Sequence, residues 1–283
     1  MAQIIFRSAT NFLPAGRALR VPRPAKSLLS RFNLYMIAIY TLWVREVKKY
    51  FRSKSRIIGS LGQPILFLVA LGFGLGPTFK AAGQGDYIQF LVPGIISMSI
   101  LFLAIFSGIS VIWDRQFGFL KETLVAPVPR WQIMVGRTLG GATVAVLQGL
   151  IVFAISFLAG FRLANFATLP MAFVFMTFIA LIFTALGTAI ASVLEDMHGF
   201  QLIMNFLVMP IFFLSGALFP MTGLPKVLEI VVRFDPLAYG VDGLRGTLGG
   251  VSHFGLFADF WILSVVVVVF IGIGSYLFSK IRV

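Results

Sequence analysis

The chain has 283 residues, 59% hydrophobic and only 12% charged, with a mean hydropathy of +0.97, a balance that excludes a soluble domain, whose surface needs charged side chains. The net charge of +13 raises nucleic acid as a partner, but twelve of the 23 Lys and Arg lie before residue 57, beside the first long apolar run. Basic residues placed there act as membrane-surface anchors and topology signals, and the absence of cysteine removes any disulfide, thiolate nucleophile or Cys-based zinc site.

Residues 1–31 form a basic tail, expected to be mobile. No acidic side chain occurs before Glu46, and Arg7, Arg17, Arg20, Arg23, Lys26 and Arg31 alternate with Ser, Pro and small apolar residues. An organelle transit peptide has that composition, and so does a loose tail lying on anionic lipid. A secretory signal is not expected, because no apolar core follows the first charges.

Residues 32–56 read as an interfacial amphipathic helix. At 100° per residue Ile39, Trp43, Val47 and Tyr50 share one stripe, while Arg45, Lys49, Arg52 and Arg56 lie opposite, suited to the headgroup plane. Glu46 sits beside the apolar stripe, either paired locally with Arg45 or Lys49 or reaching a partner protein.

Residues 57–283 carry six apolar runs, at 57–76, 88–113, 138–161, 168–194, 200–219 and 260–279. Each has about 20 residues, enough for a helix rising 1.5 Å per residue to cross roughly 30 Å of hydrocarbon. The fold class is an all-α membrane protein of six spans. With the N-terminus in the cytoplasm, 18 Lys and Arg fall on that side and five on the other, so both termini are expected to be cytoplasmic.

No catalytic constellation accompanies these spans. His198 and His253, the only histidines, fall on opposite sides, and no glycine-rich phosphate loop with its lysine occurs, so ATP is not bound by that route. The run interiors hold no ionisable side chain, which disfavours a proton- or ion-coupled carrier. Their main polar side chains are Gln63, Gln148, Gln201 and Asn205, which either bridge helices or line a translocation path.

The loop after the second run reads from Trp113 through Asp114, Arg115, Gln116, Phe117, Gly118, Lys121 and Glu122 to Pro127 and Arg130. As one helix it would place Trp113, Phe117, Leu120 and Leu124 on a stripe and let Arg115 and Glu122 project together, until Pro127 and Pro129 stop it. Between the fifth and sixth runs, Asp235 is a good N-cap and Pro236 suits the first helical position. Tyr239 follows, and Asp242 and Arg245 are i,i+3 neighbours able to pair on one face.

In these segments the chain resembles the membrane subunits of type-2 ABC exporters, in particular their daunorubicin-resistance and multidrug branch. The resemblance rests on Asp114 to Glu122, Ala126-Pro127, Gly136-Arg137, the 213–220 segment and Asp235 to Gly246, and it covers the chain from Tyr40 onward. Gln116 departs from it, standing where the family has glutamate. The resemblance implies that residues 113–130 transmit motion from a separate ATPase subunit, present in two copies and carrying the ATP and Mg, while this chain binds no cofactor and is not itself an enzyme. It also implies short, partly re-entrant external helices between the fifth and sixth spans, and a second copy or similar permease completing the path. The expected location is the plasma (inner) membrane of a bacterium or archaeon, an organelle membrane remaining open because of the basic tail. A path without fixed charge suits a hydrophobic or amphipathic substrate, drug-like or lipid-like. A lipid-linked oligosaccharide or polysaccharide exporter and a membrane scaffold without transport are the competing readings.

Overall fold

The computed structural model describes residues 28–83, 85–125, 128–221 and 225–281, with side chains from Met36 onward. Contacts divide the chain into Met1–Asn33 and Leu34–Val283, and the packing reported below lies within the second unit. Most of the basic tail and Pro127 of the loop lie outside the described residues.

Every element among the described residues is helical. Helix α1 (Leu28–Arg52) ends on Lys49 and Arg52, cations suited to the partial negative charge of a helix C-terminus. A one-residue break at Ser53 separates it from α2 (Lys54–Ala81), so Arg56, assigned from sequence to the interfacial helix, belongs to the first span. Asp86 caps α3 (Tyr87–Phe106) by accepting from the Ile88 N–H at 3.0 Å. After Ser107 and Gly108 the chain continues as α4 (Ile109–Gln116), turns at Gly118, and forms the short α5 (Phe119–Val125). Helix α6 (Arg130–Leu158) leads through a 3-10 turn at Phe166–Thr168 into α7 (Leu169–Val193). Asp196 caps α8 (Met197–Leu214). Helices α9 (Lys226–Phe234), α10 (Pro236–Gly249) and α11 (Leu256–Ser279) complete the chain.

Among the described residues six helical segments are long and apolar enough to cross a membrane: α2, the α3–α4 pair, α6, α7 with its 3-10 turn, α8 and α11. The six-span expectation therefore holds, with shifted ends. The fifth span stops at Leu214 rather than at 219, because Ser215 closes the helix and Gly216 takes a positive φ of 71°. Others run past their apolar stretches: α4 through Gln116, α6 from Arg130, α11 from Leu256. Asp114, Arg137 and Asp259 consequently lie inside helices and are buried, each one residue beyond the apolar run it borders, so the run interiors themselves hold no Asp, Glu, Lys or Arg.

The α3–α4 span is the core of the bundle, 72% of its most apolar window being buried, against 17% for α2, 22% for α8 and 17% for α11. Two glycine crossings explain how it packs so closely. A Cβ on Gly187 of α7 would stand 2.2 Å from the Ile105 carbonyl oxygen, and one on Gly94 of α3 would stand 2.2 Å from that of Ala217. Only glycine permits backbones to approach that far. The lightly buried faces of α2, α8 and α11 are left for lipid or another subunit.

Candidate functional site at the charged end of the bundle

Helix direction alternates from span to span, so one end of the bundle collects the start of α2, α4, α5, the start of α6, the end of α7 and the end of α11. Asp114, in the last turn of α4, is buried there and accepts hydrogen bonds from two guanidiniums, Arg45 on α1 and Arg137 on α6. One carboxylate thus ties three helices together, and its charge is what makes buried Arg137 tolerable. Glu46 packs where α6 carries Gly140, whose absent Cβ would lie 2.7 Å from the Cβ of Glu46. Its Oε1 is 3.5 Å from the Arg45 guanidinium, so Glu46 is a local partner of Arg45, while Lys49 is exposed. Burial of Arg45 would lower its pKa, but the bond to Asp114 and the neighbouring negative charges outweigh this and raise it. Two further bonds hold α1 against α6: Trp43 Nε1 donates to Thr143 at 2.9 Å and the Tyr50 hydroxyl to Gln148 at 2.8 Å.

The loop is not one helix. Gly118 has φ +81°, and the turn it makes points α4 and α5 in different directions, so Arg115 and Glu122 do not project together. Arg115 folds back onto the C-terminus of α7, donating to the Ser192 and Leu194 carbonyls at 2.8 and 3.1 Å. Those carbonyls lack intrahelical partners, which is why a guanidinium settles there. Gln116 reaches the Glu195 carbonyl at 3.5 Å. Leu120 is buried, whereas Phe117, Phe119, Lys121, Glu122 and Val125 are exposed. Arg130 donates to the Ser279 and Ile281 carbonyls at 2.6 and 2.8 Å, fastening the end of the loop to the end of α11. An open hollow of about 1040 Å³ lies between them, bordered by Lys121, Val125, Arg130 and Lys280.

At the opposite end, α10 is buried against α3, α7 and α11, its Gly240 and Gly243 admitting Ile179 and Phe175. Asp235 caps it through the Leu237 N–H at 2.9 Å, Pro236 is its first residue, and the Tyr239 hydroxyl donates to the Arg233 carbonyl at 2.8 Å. Burial pushes the Asp235 carboxyl up to about 7. Asp242 and Arg245 do not pair, contrary to their spacing. The Asp242 carboxylate is taken by the N–H groups of His253 and Phe254, at 2.8 and 2.7 Å. Arg245 donates to the Gly216 carbonyl at 2.9 Å and lies 3.9 Å over the Phe90 ring, where burial lowers its pKa to about 10. Both residues found better partners on other elements than on their own helix.

The sequence pattern of the ABC-2 type transporter family matches residues 37–248, three-quarters of the chain. The chain belongs to that family. It is 26% identical over 244 residues to the Escherichia coli (strain K12) protein "Inner membrane transport permease YadH", covering 84% of this chain and 93% of the relative. It is 29% identical over 198 residues to "Nodulation protein J" of Rhizobium leguminosarum bv. viciae, covering 69% and 75%. Over 213 residues it is 27% identical to "Putative transport permease ycf38" of Cyanophora paradoxa, covering 73% of each.

As an ABC-2 permease the chain is a multi-pass transmembrane subunit of a transporter, of a kind that generally works with an ATPase subunit. Within this permease the sequence-selected loop residues divide in two: Asp114, Arg115, Gln116 and Arg130 bond inward, and Phe117, Lys121 and Glu122 face out. The polar span residues divide likewise. Gln148 is buried and bonded to Tyr50, so it bridges helices, while Gln63 on α2 and Gln201 and Asn205 on α8 are exposed. From sequence Arg137 entered only through the Gly136-Arg137 match and was given no role in the site, although a lone cation at the head of a long apolar run is a signal; Thr143 was missed and carried none.

Proposed function

We propose that this permease is the membrane half of an ATP-driven exporter, coupled to two copies of a separate ATPase subunit that carry the ATP and Mg. A second copy of the chain, or a similar permease, completes the path. The observation that carries this reading is the division within the loop. An exposed knob of Phe117, Phe119, Lys121 and Glu122 stands at one end of the bundle. The residues flanking it are fastened to α1 and α6 through Asp114, to α7 through Arg115 and to α11 through Arg130. A push on the knob is therefore delivered to four other helices at once, which is what coupling to a cytoplasmic engine requires. Both termini in the cytoplasm is the orientation that the Lys and Arg distribution supports. An inner-membrane location is supported by the name of the Escherichia coli relative. Helix α9, with Val227, Ile230 and Phe234 exposed beside Lys226 and Arg233, suits the outer interface, with α10 tucked beneath as a re-entrant element. The faces of α2 and α8 lack fixed negative charge and are largely apolar, which suits a hydrophobic or amphipathic substrate.

Co-purification with a candidate ATPase subunit tests the reading. The pair should hydrolyse ATP and this chain alone should not. The Lys121→Glu/Glu122→Lys double substitution should reduce ATPase stimulation about tenfold, the equivalent of one lost charge-assisted contact. Unchanged stimulation would remove the knob from the coupling path.

A further inference from the structure

A hollow of about 400 Å³ lies between α2 and α3, within the size range of small-molecule sites. Arg56, Ser60 and Gln63 line it from α2, and Phe102 and Phe106 from α3. The spacing of 56, 60 and 63 puts them on one helix face, with Gln63 roughly 10 Å along the axis from Arg56. This face belongs to one of the least buried spans; the Ser60 hydroxyl donates to the Ile57 carbonyl at 2.9 Å, whereas the Gln63 amide has no hydrogen-bond partner among the described residues. A polar row on a membrane-crossing helix requires a polar counterpart, because hydrocarbon offers none.

The charge at this hollow is unmatched. Arg56 is the only charged side chain lining it, and no carboxylate lies within 4.0 Å of it among the described residues. Arg45, Arg115 and Arg137, by contrast, each have one within that distance. The wall beyond Arg56 is aromatic and apolar, with Phe102 and Phe106 stacked at 6.5 Å between centroids. A cation at one end, a hydroxyl and an amide along one side and aromatic rings opposite are complementary to a molecule with one anionic head and an apolar tail.

We propose that the α2–α3 hollow binds an acidic amphiphile, its phosphate or carboxylate head on Arg56 and its tail along Phe102 and Phe106. The proposal rests on the exporter reading and narrows its substrate class from amphipathic to acidic amphipathic. A guanidinium is the group suited to such a head, because its planar fork matches both oxyanions bidentately. The competing explanation is that Arg56 merely extends to bulk lipid headgroups, which predicts no dependence on the hollow itself.

The test uses the full chain with its ATPase subunit in phosphatidylcholine nanodiscs. Two photoreactive dodecyl probes of equal length are compared, one a phosphate ester and one the free alcohol, and adducts are mapped by mass spectrometry. The phosphate probe should label Met98–Phe106 about tenfold more than the alcohol, one charge-assisted bond's worth of preference. Arg56→Gln should abolish the preference and Arg56→Lys should keep most of it. At Gly59, which also lines the hollow, an added Cβ meets no atom within 4 Å, so the position has room for a side chain to start, and the bulk of Gly59→Leu should abolish labelling by both probes. Equal labelling by the two probes, or labelling indifferent to Gly59→Leu, would overturn the proposal. Suppression by dodecyl phosphate but not by inorganic phosphate supports an amphiphile over a free ion, and the reverse overturns it. Failure to bind an ATPase would sink the exporter reading while leaving the labelling, which needs no ATP, to report on the hollow.

Discussion

Removing Asp114 separates the charge that holds this permease together from the charges it holds. In Asp114→Ala, Arg137 stays 3% exposed with no anion beside it, and an uncompensated buried charge costs about 3–5 kcal/mol. The Arg45 side chain is 37% exposed, so solvent screens its share and Arg45→Ala should cost only about 1 kcal/mol. The double substitution Asp114→Ala/Arg137→Met removes both buried charges and should be more stable than Asp114→Ala alone, with a coupling energy of about 1–3 kcal/mol. Thermal unfolding of the purified chain at fixed detergent concentration reads these differences. At about 2–4 °C per kcal/mol, the single substitution should lower the midpoint by roughly 10 °C and the double should recover part of it. A double variant whose loss equals the sum of the two single losses would refute the reasoning, since it would show that Asp114 and Arg137 contribute independently.

Arg115→Ala should destabilise by about 1–2 kcal/mol, because the α7 carbonyls it serves are left to find other donors, whereas Glu122→Ala, at an exposed position, should shift stability by no more than about 0.5 kcal/mol and act on ATPase stimulation instead. Chemical or thermal unfolding beside an ATPase assay separates the two, and equal stability losses would contradict their different placement. At the other end, the Asp235 carboxyl is raised from 3.8 to about 7 by burial, its bond to the Leu237 N–H opposing, so the folded chain keeps a proton that the unfolded chain releases. That contribution to stability is complete below about pH 4 and is lost as pH rises through about 7. Asp235→Asn keeps the cap, so its stability relative to the unsubstituted protein should rise by up to about 4 kcal/mol from pH 4 to 8; a difference that stays flat with pH would show that Asp235 titrates normally.

The spans were legible because a twenty-residue apolar run has few alternatives to a membrane helix. Their ends were not, because the signals that stop a hydropathy run do not stop a helix. Asp114 and Arg137 each interrupt an apolar stretch, yet both continue their helices, since each cancels the other's cost across a contact the sequence does not show. At the fifth span the error ran the other way: Ser215 and Gly216 are small and inconspicuous within an apolar run, but a positive φ at Gly216 ends the helix there.

Local pairing rules failed for a related reason. Spacing of three along α10 makes Asp242 and Arg245 neighbours on a helix surface, and the rule holds for exposed helices, where nothing else competes. Helix α10 is buried, so backbone N–H groups at 253 and 254 and the Gly216 carbonyl compete and win. Glu46 illustrates the opposite outcome. On the helical wheel it sat beside an apolar stripe with two readings open, and the residue that decides between them is ninety-four positions away. Gly140 leaves room on α6 for the Glu46 side chain, which puts its carboxylate beside Arg45 and adds it to the cluster around Asp114. A glycine in an apolar run carries no charge and no hydrophobic signal, so a pattern search passes over it; its meaning lies in what approaches it. The charged end of this permease joins ions that can be read from the sequence through contacts that cannot: Asp114 to Arg45 and Arg137, and Glu46 to the gap left at Gly140.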